Sequence, residues 1–183
     1  MTPLQRAANA KAVERLAAAV ADRLRRRGID VVLSGGTCVA LHAEGRYVSA
    51  DLDFVLLHDV RRSAVAAALE ELGFWPEGRV FVKAGAAATV DVLAPPPAVG
   101  REPIGAVEER RVGRRILPLL SPTDTVKDRL CAFFHWEDRQ ALEQAVLVCR
   151  VARVDLAEVR RWARAEGMTS RHREFLAALR RGP

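Results

Sequence analysis

The sequence predicts an α/β protein (α+β in its layout): a short mixed β-sheet flanked by helices over residues 1–120, then a C-terminal helical bundle over 121–183. Three observations lead there. Short runs rich in β-formers alternate with amphipathic segments as far as Leu120. Glycines close the early segments: Gly28, Gly45 and Gly73. After Ser121 every segment repeats at helical spacing.

The elements follow in order. Val13, Leu16, Val20 and Leu24 recur at three and four, so residues 4–27 read as an amphipathic helix ended by Gly28. Ile29–Leu33 is a short strand, Gly35-Gly36 a turn, and Thr37–Ala43 begin a second helix that Gly45 breaks. Leu52–Leu57 is an apolar strand apart from its aspartate, and Val60–Leu72 a third helix. Val80–Val82 and Ala88–Leu93 read as strands joined around Gly85, with Pro95-Pro96-Pro97 stopping the second. Alternation at Ala106-Val107 and Ile116–Leu119 predicts one or two more strands turning at Gly113. Ser121-Pro122-Thr123-Asp124 supplies a cap, a proline at the first helical position and an acid at the third, a strong helix start. Helices are expected over 122–135, 138–152, 155–166 and 170–181, with Asp155 and Glu158 repeating the capping pattern.

Composition narrows the class. Half the residues are hydrophobic and 28% charged, which fits a globular chain and not a disordered one. No apolar run approaches the roughly 20 residues needed to cross a bilayer. The N-terminal stretch lacks the apolar core of a signal peptide. The three cysteines are irregularly spaced, which argues against a disulfide framework or zinc site. A cytoplasmic protein without membrane partners is expected. The net charge is +6, and all but three of the 29 basic residues are arginine. That excess favours a polyanionic or phosphorylated partner over an acid-averse one. Clusters such as Arg25-Arg26-Arg27 also read simply as solvated helix faces.

The stretch VVLSGGTCVALHAEGRYVSADLDFVLL, Val31 to Leu57, carries the chemistry. Buried carboxylates are costly unless paired or bound to cations, yet Asp51 and Asp53 stand inside an apolar run. Two apart on a strand, they share a face at a spacing of about 6–7 Å. A third acid, Asp91, lies in the similar run TVDVL. If those strands are neighbours, three carboxylates converge, an arrangement that divalent cations make tolerable. Mg²⁺ prefers such oxygen ligands and takes substrate phosphates in its remaining positions. The Gly35-Gly36 turn, leading into a helix, would let backbone amides approach a phosphate closely. It is neither a GxGxxG fingerprint nor a P-loop.

LSGG, fourteen residues, Asp51-Leu52-Asp53-Phe54 and the later strand acid Asp91 together resemble the polymerase-β-type nucleotidyltransferase superfamily. Within it, GRYVSADLDF at 45–54 and SPTDTVKDRLCAFFHWEDRQALEQA at 121–145 are most similar to the small bacterial AbiEii-like (type IV toxin) branch. The likeness spans residues 29–150. It implies a nucleotidyltransferase core that moves an NMP from an NTP to a hydroxyl and releases pyrophosphate. Asp51, Asp53 and Asp91 would be the catalytic, metal-holding carboxylates, with two Mg²⁺ ions and Mn²⁺ as an alternative. Ser34, Gly35 and Gly36 would hold the phosphates, with Thr37 and Ser49 beside them, and Lys127 would reach the triphosphate. The chain has only three lysines, so one kept in place of arginine draws notice. Implied partners are the NTP, a tRNA or other RNA acceptor, and a cognate antitoxin or other protein. An antitoxin-like enzyme that nucleotidylates a partner and a non-catalytic RNA- or partner-binding protein are the rival readings. Cys38 and His42, four apart on a helix, read as packing residues rather than metal ligands, and His135-Trp136 as part of a helix interface.

Overall fold

The N-terminal apolar repeat becomes α1 (Pro3–Arg26), which Gly28 ends in a left-handed conformation at φ +70°. The structure is a computed structural model and describes residues 3–181. Next come β1 (Val31–Ser34), α2 (Gly35–His42), β2 (Asp51–Leu56) and α3 (Arg62–Glu70). They are followed by β3 (Trp75–Glu77), β4 (Val80–Val82), β5 (Thr89–Leu93), β6 (Ala98–Val99), β7 (Glu102–Pro103), β8 (Glu108–Val112) and β9 (Arg115–Leu119). Four helices complete the chain: α4 (Pro122–Trp136), α5 (Arg139–Val151), α6 (Leu156–Ala165) and α7 (Thr169–Arg180).

Seven strands form one mixed sheet in the order β3-β4-β5-β2-β1-β9-β8, and β6-β7 pair separately. β2 lies antiparallel to β1 and parallel to β5, and β1 runs parallel to β9. The strands expected at Val80–Val82 and in TVDVL are β4 and β5, and the anticipated turn at Gly113 joins β8 to β9. The sequence pattern predicts neither β3 nor the two-residue pair β6-β7. All three residues of β3 are exposed and one is Pro76, so no apolar alternation marks it; pairing with β4 creates it. α2 starts two residues earlier than the sequence suggests, because Gly35 adopts φ +68° and turns the chain directly off the strand.

The helical half begins as its capping residues require. Ser121 Oγ accepts from Asp124 N at 3.1 Å, with proline in the first turn, and Asp155 accepts from Ala157 N and Glu158 N. Buried apolar residues fall into two clusters. One joins α1 and α3 to the sheet through Val20, Leu24, Leu33, Phe54, Leu69 and Phe81. The other gathers Phe133, Phe134, Trp162 and Phe175 from α4, α6 and α7. α2 belongs to both: Cys38 and Leu41 pack into the first cluster and Val39 into the second. Trp162 is fully buried, stacks on Phe134 at 5.5 Å, and donates its Nε1–H to Val99 O at 3.1 Å. Removing so large a core side chain typically costs about 3–5 kcal/mol, so this ring ties the β6-β7 pair to the bundle. Among the described residues no helix is long and apolar enough to cross a membrane.

Candidate active site

The parallel pairing of β2 with β5 sets Asp53 opposite Asp91 and Asp51 opposite Thr89. Leu52, Phe54 and Leu56 are buried on the reverse face of β2, so both aspartates of that strand share a face with Asp91. Their environments differ. Asp51 is exposed and accepts from Thr89 Oγ1 at 2.9 Å. Asp91 is 5% exposed; its Oδ2 meets Arg79 Nε at 3.0 Å, while its buried Oδ1 has no hydrogen-bond partner. Burial pushes the Asp53 carboxyl up to about 6; the Arg129 charge opposes this, and the charges of Asp51, Asp91 and Asp128 reinforce it.

The diglycine turn lies directly against these acids. A Cβ on Gly35 would collide with Asp53 Oδ2, and one on Gly36 would meet Ser49 Oγ at 3.0 Å. Glycine is therefore required twice here, by the left-handed φ of Gly35 and by close approach. The neighbouring hydroxyls brace the turn. Ser34 Oγ donates to Asp53 O at 3.1 Å, Thr37 Oγ1 to Asp51 O at 2.6 Å, and Ser49 Oγ accepts from Asp51 N at 3.3 Å. Ser34 precedes α2 but makes no side-chain cap hydrogen bond to it. The first turn of α2 thus carries positive dipole character with no capping side chain, the local feature that suits an anion.

Lys127 has its charge taken up within the helical half. It is buried on α4, with Nζ 2.7 Å from Glu158 Oε1 and 3.2 Å from Asp124 Oδ1. Arg161 and then Lys127 hold the Glu158 carboxyl down to about 2. The physical reason is its place on the helix: Lys127 shares a stripe with Leu130 and Phe134, which faces the bundle interior. Lys127→Met is expected to destabilise the fold by about 3 kcal/mol, because Asp124 is left buried without its cation. Denaturant unfolding measures that loss, and nucleotide affinity of the folded variant should be unchanged. A selective loss of nucleotide binding with intact stability would restore Lys127 to the site.

Two arginines act on the acids, Arg79 on Asp91 and Arg129 on Asp53, and no motif in the sequence singles out Arg129. It is largely buried and gripped by Asp128 through Nε at 3.0 Å and an Nη at 2.6 Å. Its trace in the sequence is the charged run Lys127-Asp128-Arg129 directly ahead of the apolar Leu130–Phe134 on α4. Cys38 and His42 pack as expected: Cys38 Sγ donates to Leu33 O at 3.0 Å, and His42 Nε2 lies 2.8 Å from Leu120 O.

Among the described residues no three His, Cys, Asp or Glu side chains are gathered closely enough to hold a metal as they stand. Thr89 engages Asp51 and Arg79 engages Asp91. The donor set nonetheless fits a hard divalent cation. An unpartnered buried carboxylate oxygen on Asp91 and a carboxyl on Asp53 raised by burial and like charges are both relieved by added positive charge.

The fold is one that a nucleotidyltransferase-like structure shares. No family model matches the chain, and no curated protein matches it in sequence. In structure it is similar to an antigenic nucleotidyltransferase-like protein from Paracoccidioides brasiliensis, over 90% of both chains, with a TM-score of 0.59 at 13% identity. It is also similar to the antibiotic-resistance factor ANT(2'')-Ia, over 87% of this chain and 90% of that one, with a TM-score of 0.54 at 18% identity. ANT(2")-Ia in complex with adenylyl-2"-tobramycin matches over 87% of this chain and 94% of that one, with a TM-score of 0.51 at 16% identity. These likenesses concern the fold.

Proposed function

We propose that the protein is a Mg²⁺-dependent nucleotidyltransferase that moves a nucleoside monophosphate from an NTP to a hydroxyl of an RNA 3′ end. The observation that carries this reading is the Asp53–Asp91 pairing, with Asp51 on the same face and the Gly35-Gly36 turn against it. Asp51, Asp53 and Asp91 would hold the ions, once Arg79 has left the Asp91 Oδ2 it now contacts. Bound there, Mg²⁺ supplies charge stabilisation for the attacking and leaving oxygens of the displacement. The chain's own part is positional. The backbone of Gly35 and Gly36 receives phosphate at the start of α2, and the hydroxyls of Ser34, Thr37 and Ser49 keep that turn on the acidic strand. Asp91, the most enclosed of the three acids, faces the acceptor hydroxyl in this reading.

The acceptor follows from charge. A polycationic acceptor would be repelled by the basic excess of the chain, a formal net charge of +6. A polyanionic acceptor is favoured. The AbiEii-like toxin role rests on the resemblance of residues 45–54 and 121–145. Incubation with α-labelled NTPs, Mg²⁺ and either total RNA or a protein extract tests the reading. Label should pass to RNA with release of pyrophosphate, and Asp51→Asn or Asp91→Asn should lower the rate by about three orders of magnitude. Label on a protein would favour the antitoxin-like enzyme. Calorimetry showing no NTP binding with Mg²⁺ present would point to the non-catalytic binding protein.

A further inference from the structure

We infer that a recess between α6 and α7, walled by Arg160, Arg164 and Arg173, binds a small phosphoanion, inorganic phosphate or pyrophosphate. This site lies in the helical half and does not rest on the transfer chemistry proposed for the acids. The recess has a volume of about 180 Å³; α6 contributes Arg160 and Arg164, and α7 contributes Thr169, His172 and Arg173. No Asp or Glu lines it. Arg160 and Arg164 stand one helical turn apart, a spacing at which like charges repel. Neighbouring arginines of the same helices are paired: Arg161 with Glu102 and Glu158, Arg171 with Glu137 and Glu174. Arg160, Arg164 and Arg173 have no acidic partner among the described residues. An anion seated among them supplies the missing charge.

His172 points to a ligand independently of the arginines. It is 4% exposed and lines the recess, yet its Nε2 has no hydrogen-bond partner. Buried polar side chains of folded proteins are nearly always hydrogen-bonded, so an orphan on the wall of a basic recess calls for a partner from outside the chain. A neutral imidazole carries one N–H to donate, and a phosphate oxygen accepts it. Burial first, and then the charges of Arg160 and Arg164, hold the imidazole below its ordinary value, so both guanidiniums bear directly on the ring. Thr169 opens α7, whose first turn holds no acid and whose N-cap, Met168, makes no side-chain hydrogen bond to it. The first amides of that twelve-residue helix add donors and positive dipole character to the recess. Size selects within the class. Sites that enclose a whole drug-sized ligand run to roughly 300–1,000 Å³, so a recess of about 180 Å³ suits one or two phosphate groups without a nucleobase.

Titration with pyrophosphate and with inorganic phosphate, followed by NMR at about 0.15 M salt without Mg²⁺ or NTP, tests this. The imidazole resonances of His172, which His172→Gln assigns among the four histidines, should move and saturate. The double variant Arg160→Gln, Arg164→Gln is expected to bind pyrophosphate at least about tenfold more weakly, the loss that two charge-assisted hydrogen bonds carry. Arg173→Gln should weaken it severalfold. The control Arg111→Gln, Arg114→Gln removes the same charge from exposed sites on and beside β8 and should bind like the parent. Asp51→Asn should also bind like the parent, which separates failure of transfer from failure of this site. Unmoved His172 resonances, parental affinity in the Arg160, Arg164 variant, an equal loss in the β8 control, or displacement of pyrophosphate by a lower concentration of an RNA oligonucleotide would each overturn the proposal.

Discussion

Asp53→Asn is expected to abolish nucleotidyl transfer while making the protein more stable at neutral and alkaline pH. The folded chain holds a proton on Asp53 more readily than the unfolded chain does, since its value near 6 lies above the ordinary 3.8. The contribution of this group to stability is therefore fully present below about pH 4 and is lost as the pH rises through 6. Above that, the folded state carries the cost of a largely buried carboxylate beside Asp51 and Asp91. A neutral amide removes the cost, for a gain of about 1–2 kcal/mol at pH 8. Activity moves the other way, by about three orders of magnitude, because the group that would hold cation charge in the transition state is gone. Thermal melts of parent and variant at pH 4.5 and pH 8 decide it. The melting temperatures should converge at the lower pH and diverge by a few degrees at the higher. A variant less stable than the parent at pH 8 would show that Asp53 is satisfied by the protein alone and awaits no cation.

Gly35→Ala is expected to cost about 2–4 kcal/mol of stability and nearly all activity. The left-handed backbone at φ +68° accounts for about 1–2 kcal/mol of this, and collision of the new methyl with the Asp53 carboxylate for the rest. Gly28 provides the internal reference. It has almost the same backbone angle, φ +70°, but a Cβ added there would meet nothing within 4 Å. Gly28→Ala should therefore show the backbone cost alone and leave activity untouched. The difference between the two variants in urea unfolding measures how tightly the diglycine turn is pressed against the acid. Equal costs would mean that Asp53 swings away freely, and the turn would lose its claim to a phosphate site.

Lys127 and Arg129 show how far local pattern reaches. They are two apart on one helix, so their side chains point about 200° apart around its axis. The rarity of lysine draws attention away from Arg129 and to Lys127. Its place on the stripe with Leu130 and Phe134 already marks it as inward-facing. That Glu158 of α6 would be its partner depends on a helix thirty-one residues away, which no spacing in α4 encodes. β3 escapes notice for a related reason: three exposed residues with a central proline carry no signal of their own, and only β4 makes them a strand.

By itself the sequence determined the helices, their caps, the diglycine turn and the identity of the three acids. Periodicity, capping hydrogen bonds and the left-handed freedom of glycine act within a few residues of chain. Only the tertiary structure decided that Asp91 stands beside Asp53, that Arg79 pairs with Asp91 and Arg129 acts on Asp53, and that Lys127 pairs with Asp124 and Glu158. Strand order, register and helix docking are settled by burying apolar faces contributed from distant parts of the chain, and no local stretch contains that information.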